Sequence, residues 1–201
     1  YPVPALFLGG LQKIASETID VPVTGLTIPH HLLVTHLTAQ RFGFLRKQAF
    51  QRIIILFPDH FWRCRTPFAV AVRDFQTALG LSRIDREVTA ALLKNPLVSQ
   101  SNLFSHEHGI QAVLPYVSHF WPQAKVVTLA IRNGVQAPSL DALTDVLKPF
   151  LGSDTLLVQS TDFSHYLSPE EAKKADQETL RVIACQDPAL IWQLRQPRHL
   201  D

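Results

Sequence analysis

Short apolar runs alternate along the chain with amphipathic segments. Four apolar runs are typical of buried strands, and they lie at residues 23–28, 52–57, 125–131 and 156–158. Around them, apolar residues recur at helical spacing, over residues 32–47, 85–94, 108–120, 140–150 and 169–184. This alternation predicts an α/β fold, with a doubly wound, mainly parallel sheet and helices on both faces.

The remaining segments are less regular. Residues 68–72 and 75–79 are predicted to be two further strands in a hairpin, because Asp74 and Gly80 are turn formers. Residues 1–10 and 95–103 are predicted to be irregular. Since no Gly/Ser-rich or highly charged linker divides the 201 residues, we expect a single α/β domain over residues 1–201.

Histidines follow three of the four apolar runs. His30 comes after the first run and His60 after the second, while His165 follows the fourth together with Asp162. In open α/β sheets, ligands bind at the carboxyl ends of the strands, and parallel strands would bring these tails to one edge. The pattern therefore predicts a metal or acid–base site at that edge.

Composition excludes several other classes of function. The net charge is +2 and no lysine or arginine cluster forms a stripe, so we expect no nucleic-acid partner. No apolar run approaches the length of a membrane span. The two cysteines are too few for a disulfide framework and fit free thiols in a reducing cytoplasm. Glycine-rich nucleotide loops, the Gly-x-Ser-x-Gly motif and Cys-x-x-Cys are all absent from the sequence.

Several candidate residues have a structural as well as a chemical interpretation. His31 competes with His30, and only one of these neighbours is expected to enter the site, because adjacent side chains point apart. Asp162 could orient His165 by accepting its ring N–H, or could cap a turn. Asp59 stands next to His60 and is either a site residue or simply a turn residue. The pair Glu107-His108 fits acid–base chemistry and helix capping equally well.

Taken in order, these motifs resemble those of one protein family. They are Pro29-His30, Pro58-Asp59-His60, Glu107-His108 with Leu114-Pro115-Tyr116, and Ser160-Thr161-Asp162-Phe163-Ser164-His165-Tyr166. The set resembles the Memo family, whose bacterial and archaeal members are called AmmeMemoRadiSam system protein B. The resemblance implies the fold of class III extradiol ring-cleavage dioxygenases. It also implies metal binding by His30 and His60, with Asp162, His165 and His108 in the same pocket.

The sequence departs from the family pattern at several positions. Phe61 stands where a second histidine often follows His60, and Gln111 stands where a glutamate is common. The family's third ligand is a cysteine near the C-terminus, and the resemblance places it just beyond Asp201. Because the chain also begins without methionine, we expect a truncated chain. The alternative is that Asp201, or a carboxylate beyond it, replaces the cysteine.

The resulting functional hypothesis is a metal-dependent oxidoreductase of the dioxygenase-like kind, located in the cytoplasm. Two histidines and a carboxylate suit Fe(II), whereas two histidines and a thiolate favour Zn or Cu. His165, oriented by Asp162, would act as the acid–base group or as the gate to a bound oxygen species, and His108 would assist. The alternatives are metal-assisted hydrolysis and a binding module that keeps the pocket without catalysis. The substrate, a peptide or protein partner and the oligomeric state are left open.

Overall fold

The computed structural model describes residues 3–194 of the chain. The chain forms two compact units, Tyr1–Thr161 and Asp162–Asp201. The larger unit contains the sheet and the candidate residues His30, His60 and His108, whereas Asp162 and His165 belong to the smaller unit. Each unit is described separately below. The predicted single domain over residues 1–201 stays a prediction.

The larger unit is built on an eight-stranded, mostly parallel sheet. Its strands are β1 (Gly25–Ile28), β2 (Arg52–Pro58), β3 (Phe68–Val70), β4 (Phe75–Thr77), β5 (Gly80–Ile84), β6 (Val98–Gln100), β7 (Lys125–Ile131) and β8 (Thr155–Ser160). The order is β1-β8-β2-β7-β3-β6, and β5 also pairs with β7 while β4 pairs with β5. The pairs β3–β7 and β4–β5 are antiparallel and the others are parallel. This confirms the predicted α/β class and mainly parallel sheet.

Helices connect the strands of this unit. They are α1 (Pro4–Leu11), α2 (Thr35–Phe44), α3 (Arg86–Leu92), α4 (His108–Gln111), α5 (Leu114–Phe120) and α6 (Ala137–Leu147). The predicted cap of α3 is confirmed, since the Asp85 side chain accepts hydrogen bonds from the backbone N–H groups of Glu87 and Val88. Such a cap satisfies donors that the first helical turn leaves without a partner.

Strand β2 shows why both faces of the sheet are covered. Its side chains alternate in direction, and Ile53, Ile55 and Phe57 pack into one apolar cluster that also includes Phe42 of α2. Ile54 packs into a second cluster, which includes Leu143 of α6. A strand buried on both faces reads as a continuous apolar run, and this is the pattern seen at residues 53–57.

Four local predictions were wrong. Residues 4–11 are helical, and β6 lies inside the segment expected to be irregular. The hairpin joins β4 to β5, because β3 pairs with β6 and β7 instead. The helix predicted over residues 108–120 is two helices, with Pro115 in the first turn of the second. Proline fits there because the first turn does not need its missing N–H.

The smaller unit contains α7 (Pro169–Ala184) and α8 (Pro188–Ile191). The predicted start of α7 is confirmed as a capping box, in which Ser168 and Glu171 each accept a hydrogen bond from the other's backbone N–H. Across residues 3–194, none of the helices combines the length and apolar character needed to cross a membrane.

Candidate metal centre

His30 and His60 lie just beyond the carboxyl ends of two strands that flank a third. Strand β8 lies between β1 and β2, and all three are parallel. His30 is two residues past Ile28, the last residue of β1, and His60 is two residues past Pro58, the last residue of β2. The strand order therefore brings both histidines to the same edge of the sheet, as expected for ligand-binding residues of an open α/β sheet.

Three imidazole rings meet at this edge. The ring centroids of His30 and His60 are 4.9 Å apart, those of His30 and His108 are 5.2 Å apart, and those of His60 and His108 are 3.8 Å apart. One ligand nitrogen from each ring lies within 4.8 Å of the other two. His30 is buried, with 2% of its surface exposed, whereas His60 and His108 are half-buried. His30 is therefore the most deeply buried of the three rings.

Glu107 holds His60 in place. Its Oε1 accepts a hydrogen bond from His60 Nδ1 at 2.6 Å, and its Oε2 accepts one from the His60 backbone N–H at 3.1 Å. The same Oε1 accepts from Gly109 N–H at 3.1 Å, which caps α4. Because a carboxylate can only accept, Nδ1 of His60 carries the proton and its lone pair lies on Nε2.

Ser160 sets the tautomer of His30 in the same way. The single hydroxyl proton of Ser160 is donated to the Gly109 carbonyl, with 2.5 Å between the oxygens. The Ser160 oxygen must then accept from His30 Nδ1, which lies 3.1 Å away. His30 consequently also carries its lone pair on Nε2. In both rings Nδ1 is thus used by a hydrogen bond within the protein, and Nε2 is the nitrogen that would bind a metal ion.

Gly109 allows these two hydrogen-bonded groups to come together. A Cβ atom at this position would lie 3.2 Å from Phe57 Cβ and 3.5 Å from Glu107 Oε1. The missing side chain lets the start of α4 approach β2 closely, so that one residue bonds both Glu107 and Ser160. A glycine at a close backbone approach of this kind is there for its size.

The structure separates the two adjacent histidines. His31 is exposed, and its Nδ1 accepts a hydrogen bond from Leu33 N–H at 3.3 Å, so it caps the short 3₁₀ turn Leu32–Val34. Only His30 points toward the other imidazoles. This agrees with the expectation that one of the two neighbours faces the site.

Asp59 organises the loop that follows β2. It is 1% exposed, and its Oδ2 accepts a hydrogen bond from Cys64 N–H at 2.6 Å. Burial raises the pKa of the Cys64 thiol far above its usual value, and the nearby Asp59 carboxylate raises it further. Cys64 is therefore a protonated, structural thiol, and the loop interpretation of Asp59 is the one its contacts support.

Asp162 and His165 lie in the smaller unit, so their predicted place beside His30 and His60 stays a prediction. Within that unit, Asp176 Oδ1 accepts a hydrogen bond from Ser164 N–H at 3.0 Å, which ties this segment to α7. Asp201, the proposed alternative third ligand, and a ligand beyond it lie outside the described residues.

Sequence reasoning missed the link between Glu107 and His60. These residues are 47 positions apart, and Ser160 is 130 positions from His30. The sequence alone presents Glu107-His108 as an acid–base pair or as helix-capping residues. The structure shows that Glu107 caps α4 and also orients His60. No local pattern in the sequence signals such a contact.

A single metal ion fits this arrangement. In a tetrahedral zinc site with bonds of about 2.1 Å, two histidine nitrogens lie about 3.4 Å apart. The three nitrogens lie within 4.8 Å of one another, so each pair would need to close by about 1.4 Å at most on that basis. Imidazole suits Zn, Cu and Fe alike, so the donor set supports a metal centre without selecting the ion.

Comparison with known proteins matches the chain to one family. A family model described as Memo-like protein matches residues 14–196. A MEMO1 family protein of Methanopyrus kandleri is 27% identical over 184 residues, which cover 86% of this chain and 65% of that protein. One from Saccharolobus islandicus is 30% identical over 139 residues, covering 65% and 48%. One from Archaeoglobus fulgidus is 23% identical over 191 residues, covering 93% and 72%.

Proposed function

The chain belongs to the Memo family, and from that premise we propose that it is a metal-dependent oxidoreductase of the dioxygenase-like kind. His30 and His60 hold the ion in this proposal, and His108 provides a third nitrogen. The observation that carries the proposal is the meeting of three imidazole nitrogens within 4.8 Å. Because the chain spans 65% and 48% of two of its relatives, the activity of the whole protein is part of the proposal.

The protein residues prepare the site for the ion. Glu107 keeps a proton of His60 on Nδ1, and Ser160 does the same for His30, so Nε2 is the nitrogen that each ring would present to the ion. A bound redox-active ion, Fe or Cu, would supply the electron-transfer chemistry of an oxidation, whereas Zn would supply Lewis acidity.

His165 and Asp162 have proposed roles that rest on the family motif. His165 transfers a proton to or from the substrate, and Asp162 orients its ring. We expect His165→Ala to keep the fold and lose activity. The exposed His119 provides the matched control, since His119→Ala removes the same group from a surface position. Unfolding of the His165→Ala variant would instead indicate a structural role.

Elemental metal analysis is the first test. The protein is purified without chelator and compared with the His30→Ala/His60→Ala double variant and with His31→Ala, which removes a neighbouring exposed imidazole. We expect near-stoichiometric metal in the unsubstituted protein and in His31→Ala, and loss of metal in the double variant. Absence of metal from the unsubstituted protein, even after anaerobic loading with Fe(II), would favour a binding module for a small molecule or peptide.

His108 is tested separately. If it is a ligand, His108→Ala weakens metal binding. If it acts as an acid–base group, as the sequence suggested, the variant keeps its metal and loses turnover. Turnover is followed as oxygen uptake by the iron-loaded protein with a panel of aromatic diols, which is a substrate class suggested by fold analogy alone.

Metal-assisted hydrolysis is the second candidate, and the three-histidine set favours it. Three histidines around zinc activate a bound water in known enzymes. Zinc in the purified protein, together with activity that needs no oxygen, would select this alternative. We further propose a cytoplasmic location, which the two free cysteines, Cys64 and Cys185, support.

A further inference from the structure

A polar cavity of about 510 Å³ lies in the larger unit, and several of its lining residues are close in sequence to the histidine cluster. One wall is the loop after β2, with Arg63 and Arg65, and the other is the segment after β6, which ends at His106. Both walls are close in sequence to the cluster, since Arg63 is three residues after His60 and His106 is two residues before His108.

The side chains that line this cavity suit an anion. The two arginines line the cavity together with residues that carry hydroxyl and amide groups, including Ser101 and Asn102, and no aspartate or glutamate lines it. Across residues 3–194, neither arginine forms an ion pair with a carboxylate. Two guanidinium groups facing one cavity repel each other, and a bound oxyanion would offset that repulsion.

The cavity wall is held in shape by its own hydrogen bonds. Ser101 Oγ accepts from Leu103 N–H at 3.2 Å, and Asn102 Oδ1 accepts from Arg73 Nη2 at 3.0 Å. On the other wall, the guanidinium carbon of Arg63 lies 5.9 Å from the ring centroid of Phe61. A wall that is ordered before binding lowers the entropic cost of holding a ligand.

We propose that this cavity, called here the arginine pocket, binds the carboxylate or phosphate group of a small molecule through Arg63 and Arg65. A guanidinium group offers two parallel N–H donors, which match the two oxygens of either anion. The surrounding hydroxyl and amide groups supply further donors for the remaining oxygens.

The position of the arginine pocket also indicates which part of the molecule it holds. The Phe61 ring, which lies against Arg63, is 5.9 Å from the His108 ring, centroid to centroid. A molecule with its anionic group in the pocket would extend past Phe61 toward the three imidazoles. This second step rests on the proposed function, whereas anion binding itself does not.

The test uses metal-free protein and two simple probes, inorganic phosphate and benzoate. Binding is measured by isothermal titration calorimetry at low ionic strength, for the unsubstituted chain and for Arg63→Gln/Arg65→Gln. Arg83→Gln is the matched control, because Arg83 is an exposed arginine of β5 outside the cavity. Arg65→Lys keeps the charge and removes the paired donors. Thermal unfolding of each variant shows whether it is folded.

We expect at least one probe to bind, about a hundredfold weaker binding in Arg63→Gln/Arg65→Gln, from about tenfold for each arginine removed, and unchanged binding in Arg83→Gln. Phosphate binding alone identifies a phosphate group, and benzoate binding alone identifies a carboxylate. The proposal is overturned if neither probe binds, if the folded double variant binds as well as the unsubstituted chain, or if Arg83→Gln loses as much affinity. If phosphate or benzoate still binds to the His30→Ala/His60→Ala variant, the arginine pocket binds its anion independently of the metal centre.

Discussion

Replacing Glu107 by glutamine removes one oxygen from a buried group that accepts three hydrogen bonds. The donors are His60 Nδ1–H, the His60 backbone N–H and Gly109 N–H. Glutamine places an NH₂ group where one of the two carboxylate oxygens was, so at least one N–H donor then faces another donor. The side chain of Glu107 is 1% exposed, and water cannot readily replace the lost acceptor.

The size of the effect follows from this geometry. A hydrogen bond to a charged group contributes about 1.5–3 kcal/mol. In a chain of this size, each kcal/mol shifts the midpoint of thermal unfolding by about 2–4 °C, so we expect a decrease of roughly 3–12 °C on that scale. Loss of a carboxylate that orients a metal-binding histidine weakens metal affinity by about 10–100-fold.

Competition with a chromophoric chelator measures the metal affinity, and differential scanning calorimetry measures the stability of the metal-free protein. Glu87→Gln is the control, because Glu87 lies exposed in the first turn of α3. The double variant Glu107→Gln/His60→Ala shows whether Glu107 acts through His60. The reasoning is refuted if Glu107→Gln keeps its metal affinity, or if its effect on affinity is undiminished when His60 is absent.

Three further predictions use other contacts. Ser160→Ala should weaken metal binding about tenfold, since it frees the His30 ring to rotate, while His31→Ala leaves the affinity unchanged in the same chelator assay. Because burial raises the pKa of Cys64 above its ordinary value of 9.0, the folded state keeps a proton that the unfolded state loses. Stability should thus fall above pH 9.0, by up to about 1.4 kcal/mol per pH unit, and Cys64→Ala should remove this slope in urea titrations at pH 8 to 10. Ser168→Ala should lower the free energy of unfolding by about 1 kcal/mol, measured as unfolding at a lower urea concentration, and should reduce the protection of the α7 amides from hydrogen exchange. Ser153→Ala is the control, and an equal loss of α7 amide protection in that variant would contradict a capping role.

The fold class was accessible from the sequence because its signals are local. The apolar run of β2, the Asp85 cap and the start of α7 at Ser168 each depend on residues within one or two turns. The positions of His30 and His60 after their strands are equally local, and the switch-point rule then places them at one edge.

The tertiary structure decided which groups meet there. Glu107 lies 47 residues from His60, and Ser160 lies 130 residues from His30. The pairing of β3 with β7 likewise joins residues far apart in the chain. Hydrophobic periodicity reports which face of an element is buried and says nothing about its partner. Partner choice depends on packing and backbone pairing across the whole sheet, and for this reason the tautomers of His30 and His60 and the arginine pocket became visible only in three dimensions.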